Sequence, residues 1–271
     1  MMEYEEILPS PNLRKYVKTF WVLKQSVNSI ESATETILPD GSLEIVFNLG
    51  DEFRRIYAEG KHEKQPRSIL VGQMRSSVQI QPSGGINLFG IRFQPLGAYH
   101  FFKFPLNELT DKIQSLDLVL SNNDKFLEIQ INEASTTAER IAISENFLRQ
   151  KLSGKSVTDN FLEGVVENIL LNRGMVSVGV IAKEFGIEQR RLERHFQQKI
   201  GISPKFFCRI IRIQNVICNL QNLDKKDLNP IALSFNYYDQ SHFNHEFQEF
   251  SGKSPSAFFS ESNQINEFFT S

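Results

Sequence analysis

The spacing of apolar residues changes near Pro95, from a period typical of strands to one typical of helices. Before Pro95, the segment SLEIVFNL alternates apolar and polar residues, and its apolar side chains fall on one face: Leu43, Ile45, Phe47 and Leu49. This alternation predicts a half-buried strand over 42–49. Further strands are predicted in short apolar runs bounded by Gly and Pro, at 16–23, 68–71, 78–81 and 86–93.

A turn signal precedes the first of these patterns at Pro39-Asp40-Gly41. Proline presets φ for a turn, and glycine adopts positive φ at no steric cost. Short strands separated by such turns favour an antiparallel β-rich domain, a barrel or a sandwich, for the N-terminal part of the chain.

The pattern after Pro95 is mostly helical. Residues 96–102 and 106–120 are helical or mixed, whereas 136–151 and 158–172 indicate amphipathic helices. The best linker candidate is LSGKSVT, residues 152–158. Strands followed by helices favour an α+β chain with separate domains. The predicted domains are a β-rich domain over 1–120, a helical linker over 121–157, an all-α domain over 158–260 and a tail over 261–271.

An internal repeat is the strongest pattern in the sequence. Ile181-Ala182 recurs as Ile231-Ala232, and the second copy then has one extra residue in its turn. Two copies are too few for a solenoid, so the repeat indicates a duplicated small module. The later matching positions are Phe196, Gly201, Ser203-Pro204 and Phe207 in the first copy, and Phe247, Gly252, Ser254-Pro255 and Phe258 in the second.

Each copy has the pattern of a helix, a tight turn and a second helix. Ser177 is a capping residue for the first copy, and Asn229 followed by Pro230 caps the second. Gly186 and Asn236 tolerate the left-handed conformation that ends a helix tightly. The second helix of each copy is predicted over 188–200 and 239–251. A long helix predicted over 203–222 connects the two copies.

The helix predicted over 188–200 has an apolar face opposite a basic and polar face. Leu192, Phe196 and Ile200 share the inner face at four-residue spacing. Arginine can bond bidentately to guanine and glutamine to adenine, so the outer face suits a major groove. That face carries Arg190, Arg194, Gln197 and Gln198, flanked by Arg191.

The helix predicted over 239–251 has a polar outer face that is less basic. Its inner face consists of Phe243, Phe247 and Phe250. Such a helix contacts bases weakly or positions the protein on phosphates. The outward residues are Ser241, His245 and Gln248, flanked by Gln240 and Asn244.

Charge is distributed locally in this chain. The formal net charge of −2 excludes a uniformly basic, histone-like DNA binder. Even residues 156–260 hold 12 Lys and Arg against 11 Asp and Glu. Arg190, Arg191, Arg194 and Lys199 nevertheless lie close together in sequence, with Glu193 as the acid among them. We expect modest non-specific affinity for DNA and a reliance on base contacts or on a second subunit.

Other chemistry has little support in the sequence. Cys208 and Cys218 lie in an apolar helical stretch, and two such cysteines without a disulfide framework suit a reducing cytoplasm. His242 and His245 lack a Cys partner and an HExxH pattern, so we predict no metal site and no cofactor. The acidic N-terminus predicts no signal peptide, and no apolar run is long enough to predict a membrane span.

The repeat and its flanks, over roughly 158–260, resemble the C-terminal DNA-binding domain of the AraC/XylS family of bacterial transcription regulators. That family docks two helix-turn-helix units, joined by a long helix, in successive major grooves of promoter DNA. The resemblance implies base-facing roles for Arg190, Arg191, Glu193 and Arg194, and for Gln240, Ser241, Asn244 and His245. It is carried by Ile181-Ala182, Gly186, Leu192, Arg194, Phe196, Gly201, Ser203-Pro204, the helix 209–220, Ile231-Ala232, Asp239, Ser241-His242-Phe243, Phe247, Gly252 and Ser254-Pro255.

The N-terminal part also resembles a domain of this family. LPDGSLEIVFNLGD and FGIRFQPLGAYHFF are similar to the sensor-type domain of one branch, which implies a cupin-like barrel. The second repeat departs from the family pattern, because Asn236-Tyr237 stands where Gly-Phe is usual and His245 where a basic residue is common. The partners that the resemblance implies are promoter DNA, RNA polymerase, a small-molecule effector in the N-terminal domain and a second copy of the chain.

We therefore expect a sequence-specific transcription regulator that is not an enzyme. The alternative is a cupin-like enzyme or small-molecule-binding module with an accessory DNA-binding domain. His62 and His100 stand in unlike contexts, and no GxSxG, P-loop or dinucleotide-binding pattern occurs. A pure protein-interaction module would not explain the Arg and Gln faces. Two roles remain open for a set of aromatic residues in the N-terminal part, namely lining an effector pocket and packing in the core. These residues are Trp21, Phe47, Phe89 and Phe93.

Overall fold

The computed structural model describes residues 2–26, 34–57, 59–102, 104–121, 124, 126–152, 160–221 and 229–260. The predicted linker over 152–158, apart from Leu152, and the predicted tail over 261–271 lie outside the described residues. None of the helices in the described ranges is long and apolar enough to cross a bilayer.

The N-terminal half consists of two antiparallel sheets, which confirms the β-rich fold predicted there. The larger sheet has the order β1-β2-β9-β4-β7-β10, and the smaller has the order β3-β8-β5-β6. The strands predicted at 68–71 and 86–93 have those bounds. The ten strands within the described residues are β1 Met2–Ile7, β2 Val17–Gln25, β3 Glu35–Ile37, β4 Glu44–Asn48, β5 Phe53–Ile56, β6 His62–Lys64, β7 Ser68–Val71, β8 Val78–Pro82, β9 Ile86–Phe93 and β10 Ile113–Ser115.

Strand β4 buries Ile45 and Phe47 and leaves Glu44 and Val46 half-buried, which confirms the alternation predicted there. Leu43, Ile45 and Phe47 pack as predicted in a core beneath the larger sheet. The polar side chains of Glu44 and Asn48 do not face solvent but point between the two sheets. The smaller sheet covers this face and turns it into the wall of a cavity.

Helices of the middle segment belong to the N-terminal core. Leu127, Ile131 and Leu148 are buried there together with Phe47 of β4. The described residues between 96 and 120 form short elements, namely 3-10 turns at Ala98–His100 and Leu106–Leu109, strand β10 and one helical turn. The helices of this segment are α1 Leu116–Val119, α2 Phe126–Glu133 and α3 Thr137–Leu152.

The C-terminal half is all-helical, as predicted. The repeated phenylalanines form its core, because Phe196, Phe207, Phe247 and Phe258 are all buried in one cluster. Cys208 is buried there as well, and Cys218 is half-buried. The helices are α4 Asn160–Leu171, α5 Val178–Glu184, α6 Gln189–Ile200, α7 Pro204–Gln221, α8 Asn229–Ser234, α9 Gln240–Ser251 and α10 Pro255–Ser260.

The turn after β3 joins the two halves. Leu38 belongs to the C-terminal core rather than to the N-terminal one. The carbonyl oxygen of Pro39 accepts a 2.6 Å hydrogen bond from Nε2 of Gln214 on α7. Gly41 has φ +80, as the turn signal predicted, and lies so near Phe207 that a Cβ there would be 2.9 Å from Cε2 of the ring. The helical C-terminal half is therefore packed directly on the β-rich half.

Candidate nucleic-acid interface

The first helix-turn-helix unit consists of α5 and α6. The hydroxyl oxygen of Ser177 accepts a hydrogen bond from the Val180 amide, so the predicted cap is present. Gly186 has φ +61, which is the left-handed conformation predicted for the turn. The Ile187 amide donates to the Ala182 carbonyl over 2.9 Å and closes the turn. These local bonds fix the direction in which α6 leaves α5.

The two faces of α6 are separated as predicted. Leu192, Phe196 and Ile200 are fully buried. Glu193 is half-buried at the edge, and its carboxylate accepts a 2.9 Å hydrogen bond from Gln189. The three arginines form no ion pair with any of the described residues, so their charge is available to a ligand. The exposed side chains are Arg190, Arg191, Arg194, Gln197 and Gln198.

The second unit consists of α8 and α9. Asn236 has φ +59 and adopts the left-handed turn that Gly186 adopts in the first unit. The Asp239 carboxylate caps α9 by accepting a 2.7 Å hydrogen bond from the His242 amide. Phe243, Phe247 and Phe250 are buried as predicted. Of the predicted outward residues, Ser241, His245 and Gln248 are exposed, whereas Gln240 and Asn244 are half-buried.

A buried acid on the inner side of α9 was missed in the sequence. Oε1 and Oε2 of Glu246 lie 2.8 and 2.9 Å from Nη2 of Arg212. Glu246 Oε2 also accepts from Arg209 Nε over 3.0 Å, and its Oε1 accepts from the Tyr237 hydroxyl over 2.8 Å. Arg209 further bonds to Glu249. We call these five residues the Glu246 cluster, and it fastens α9 to α7.

The charge state of Glu246 follows from these contacts. Burial raises the pKa of the carboxyl, but the bonds from Arg212, Tyr237 and Arg209 outweigh burial and hold the pKa below its usual value. The guanidinium of Arg212 also lies 4.4 Å from the Tyr237 ring centroid. The sequence offered one clue to this cluster, namely the tyrosine at position 237. A Phe at this position would lack the hydroxyl that bonds to Glu246.

A groove lies between the two helix-turn-helix units. It is lined by the start of α5, by α7 and by α9. Lys205 and Arg209 of α7 line it together with His242 and His245 of α9. Glu246 and Glu249 also line the groove and pair with Arg209 and Arg212, whereas Lys205 is exposed.

A cavity lies between the two sheets of the N-terminal half. About 130 Å³ of it can be occupied by water-sized molecules, and most of its wall is apolar. Trp21 lines it, but Phe47, Phe89 and Phe93 lie in the core on the other face of the sheet. The buried Arg92 side chain lines the cavity, bonds to Glu44 and has its Nε 3.6 Å from Asp40 Oδ2. Burial raises the pKa of Glu44 despite Arg92.

No group of three or more metal-ligating side chains is brought together within the described ranges. His62 lies on β6 and His100 in a 3-10 turn that packs against Tyr16. His242 uses Nδ1 to accept a hydrogen bond from the Tyr238 amide over 3.3 Å.

Two known protein families match the chain, one in each half. A family model described as a helix-turn-helix domain (HTH_18) matches residues 181–261. Residues 181–261 are therefore a helix-turn-helix DNA-binding domain of the AraC type. A second family model, described as a domain of unknown function (DUF6597), matches residues 5–115 of the chain. No curated protein sequence matches the chain.

Several solved structures match this chain at low sequence identity. ToxT from Vibrio cholerae has 13% identity and a TM-score of 0.48, covering 96% of this chain and 98% of ToxT. ToxT from Vibrio cholerae O395 has 15% identity and a TM-score of 0.47, covering 88% and 95%. The Cupin_2 domain of an XRE family regulator from Enterobacter cloacae has 12% identity and a TM-score of 0.26, covering 35% of this chain and 97% of that domain.

Proposed function

We propose that the regulator reads two adjacent major grooves, one with α6 and one with α9. The observation that carries the proposal is that both helices bury a row of apolar side chains and leave a polar face exposed. Helix α7 has 18 residues, a length of about 27 Å at the α-helical rise, which suits modules on neighbouring turns of a duplex.

The side chains of α6 have distinct roles in this proposal. Arg190 and Arg194 bond to the O6 and N7 atoms of guanine, and Gln197 and Gln198 suit adenine. Arg191 lies at the flank of this face and reaches a phosphate. Glu193 accepts from the N4 amino group of cytosine, which is the bond that a carboxylate makes in a major groove.

Helix α9 makes the second contact with fewer charges. Ser241 and His245 are exposed at its outer face and reach bases or phosphates. Gln240 and Asn244 are half-buried, so they contact only the near side of the groove. The intervening phosphates lie over the groove lined by Lys205, which adds affinity without sequence preference.

The inter-sheet cavity is the effector site in this proposal. Its apolar wall and its few inner polar groups are typical of sites for small organic molecules. The turn 38–41 lines the cavity and also contacts α7, so an occupant bears on the DNA-binding half. RNA polymerase and a second copy of the chain are further proposed partners.

Selection from a random duplex pool with the full chain tests the DNA-reading proposal. We expect one enriched sequence with two conserved blocks about one helical turn apart. Affinity for it falls steeply as salt is added, whereas the preference over random duplex persists. The matched control is a chain with Arg190, Arg191 and Arg194 all replaced by Ala, which should enrich nothing. Enrichment of no sequence by the native chain contradicts the proposal.

A further inference from the structure

Both reading helices end against the N-terminal half. At the end of α6, the Thr110 hydroxyl donates a hydrogen bond to the Gly201 carbonyl oxygen. At the end of α9, the Ser77 amide donates to the Phe250 carbonyl over 2.7 Å, and the Ser77 hydroxyl donates to the Ser251 carbonyl over 3.1 Å. These are equivalent ends in the repeat, since Gly201 and Gly252 are the matching C-caps.

The final carbonyl groups of an α-helix have no partner within the helix. Here the missing donors come from residues far away in sequence, in the other half of the molecule. The approach is close at α6, because a Cβ on Gly201 would lie 3.1 Å from Cγ of Gln73 and 3.2 Å from the Leu106 carbonyl oxygen. Each reading helix is therefore held at its C-terminal end by a surface that is not part of its own module.

The two donor residues belong to one rigid surface. The Asp111 amide donates to the Gln73 carbonyl over 2.9 Å. The Arg75 amide and Nε donate to the Asp111 carboxylate over 2.8 and 2.6 Å. The loops also touch at Gly72, where any Cβ would overlap the Leu109 carbonyl. Residues 72–77 and 106–112 thus form a single platform that carries both Ser77 and Thr110.

We propose that Ser77 and Thr110 are positioning residues for DNA recognition, and that this platform fixes the separation of α6 from α9. The proposal rests on the proposed reading of two grooves. Two ends held by one platform cannot move apart without breaking one of these bonds. A fixed separation affects DNA affinity only when both helices dock on one duplex, because the binding of a single helix does not depend on the position of the other.

The platform leaves the reading faces open. Arg190, Arg194 and Gln197 of α6 are exposed although the end of the same helix is packed against Gln73. Ser241 and His245 of α9 are exposed as well. The platform contacts the ends of the two helices and leaves their outer faces exposed. This arrangement positions the helices for DNA and does not block them. We call this role of the platform the brace.

The test uses the full chain with Ser77→Ala and Thr110→Val combined, which removes two hydroxyl donors with little change in volume. The control is Ser76→Ala, an exposed serine beside Ser77. Two duplexes are compared: the selected site, and the same site with the block under α9 scrambled. We expect the double variant to bind the intact site about tenfold more weakly, two neutral hydrogen bonds being lost, and to bind the scrambled site as the native chain does.

Equal affinity of the double variant and the native chain for the intact site would overturn the proposal that the platform positions the two helices. An equal loss on both duplexes would also overturn it, because the defect would then concern DNA binding by each module or folding. Unchanged binding of the scrambled site supports the proposal and serves as evidence that the variant is folded.

A measurement without DNA separates this proposal from the proposed function. The Ser77 amide donates to α9, so in the native chain its hydrogen exchange should be slow, and it should match that of Phe250 and its neighbours within the DNA-binding half. A Ser77 amide that exchanges as fast as an open loop refutes the brace even if the chain selects a site. Slow exchange in a chain that selects no DNA would instead refute the reading of two grooves.

Discussion

The hydroxyl of Tyr237 donates a 2.8 Å hydrogen bond to Oε1 of Glu246, across the turn that precedes α9. Both side chains are buried, and the carboxylate that receives the bond also binds two arginines of α7. The polar contact is therefore part of the core, and it fixes the angle between α7 and α9. Its loss should be visible in stability and in the contact of α9 with DNA.

Tyr237→Phe should lower the free energy of unfolding by about 1.5–3 kcal/mol, since it removes one hydrogen bond to a charged acceptor while the ring is kept. Tyr238→Phe is the matched control, because that neighbouring ring is 87% exposed. Urea unfolding of the two variants measures the difference. A loss of the same size for Tyr238→Phe would mean that the hydroxyl of Tyr237 contributes nothing specific.

Acid should weaken the Glu246 cluster. The pKa of Glu246 is lower in the folded chain than its ordinary value of 4.5, so the ionised carboxylate contributes stability that is complete above about pH 4.5. This contribution falls as the pH drops through the lower folded pKa. Urea unfolding at several pH values should show a steeper acid loss for the native chain than for Glu246→Gln, and parallel curves would contradict the assignment.

Arg190→Ala and Arg194→Ala should each weaken binding of the selected site by about 1–3 kcal/mol and relax the preference at one base pair. The physical reason is the loss of a bidentate bond to guanine. Lys24→Ala removes an equally exposed cation from the N-terminal sheet and should change affinity little. Titrations with the selected duplex and with single-base variants measure both effects. Unchanged affinity for both arginine variants would show that α6 is not the reading helix.

Gly41→Ala should be more costly than Gly60→Ala. Both glycines have positive φ, +80 and +75, so both variants incur backbone strain of about 1 kcal/mol. Only at Gly41 would the new methyl group meet a side chain, with 2.9 Å to Cε2 of Phe207, whereas nothing lies within 4 Å at Gly60. Overpacking adds about 1–3 kcal/mol, measurable by thermal unfolding. Equal losses would mean that the two halves are not in contact at this turn.

Local patterns were predictable from the sequence, and contacts between distant residues were not. Gly186 and Asn236 could be assigned to left-handed turns because that conformation depends on the residue itself. Strands β5 and β6 were missed, since FRRI and HEK have too few apolar residues to alternate. Glu246 lies 34 residues from Arg212, and no local pattern connects them.

The candidate site was predictable to a similar extent. The exposed row on α6 follows from helical spacing alone, and the structure has all five predicted Arg and Gln side chains at the surface. The half-buried positions of Gln240 and Asn244 depend on how α9 packs against neighbouring elements, which helical spacing does not determine. The bonds of Ser77 and Thr110 depend on the packing of one half on the other, and the sequence carries no trace of them.

Ser77 and Val78 are adjacent in the chain, yet one holds α9 and the other lines the cavity. Phe53 lines the same cavity from β5, away from the platform. The cavity wall therefore has two parts with different freedom to vary during evolution. Substitutions around Phe53 can change which molecule fits while the DNA-binding geometry is kept. Substitutions at Val78 change the cavity wall and the platform together, so under the proposed function ligand preference should change mainly through the β5 side of the wall.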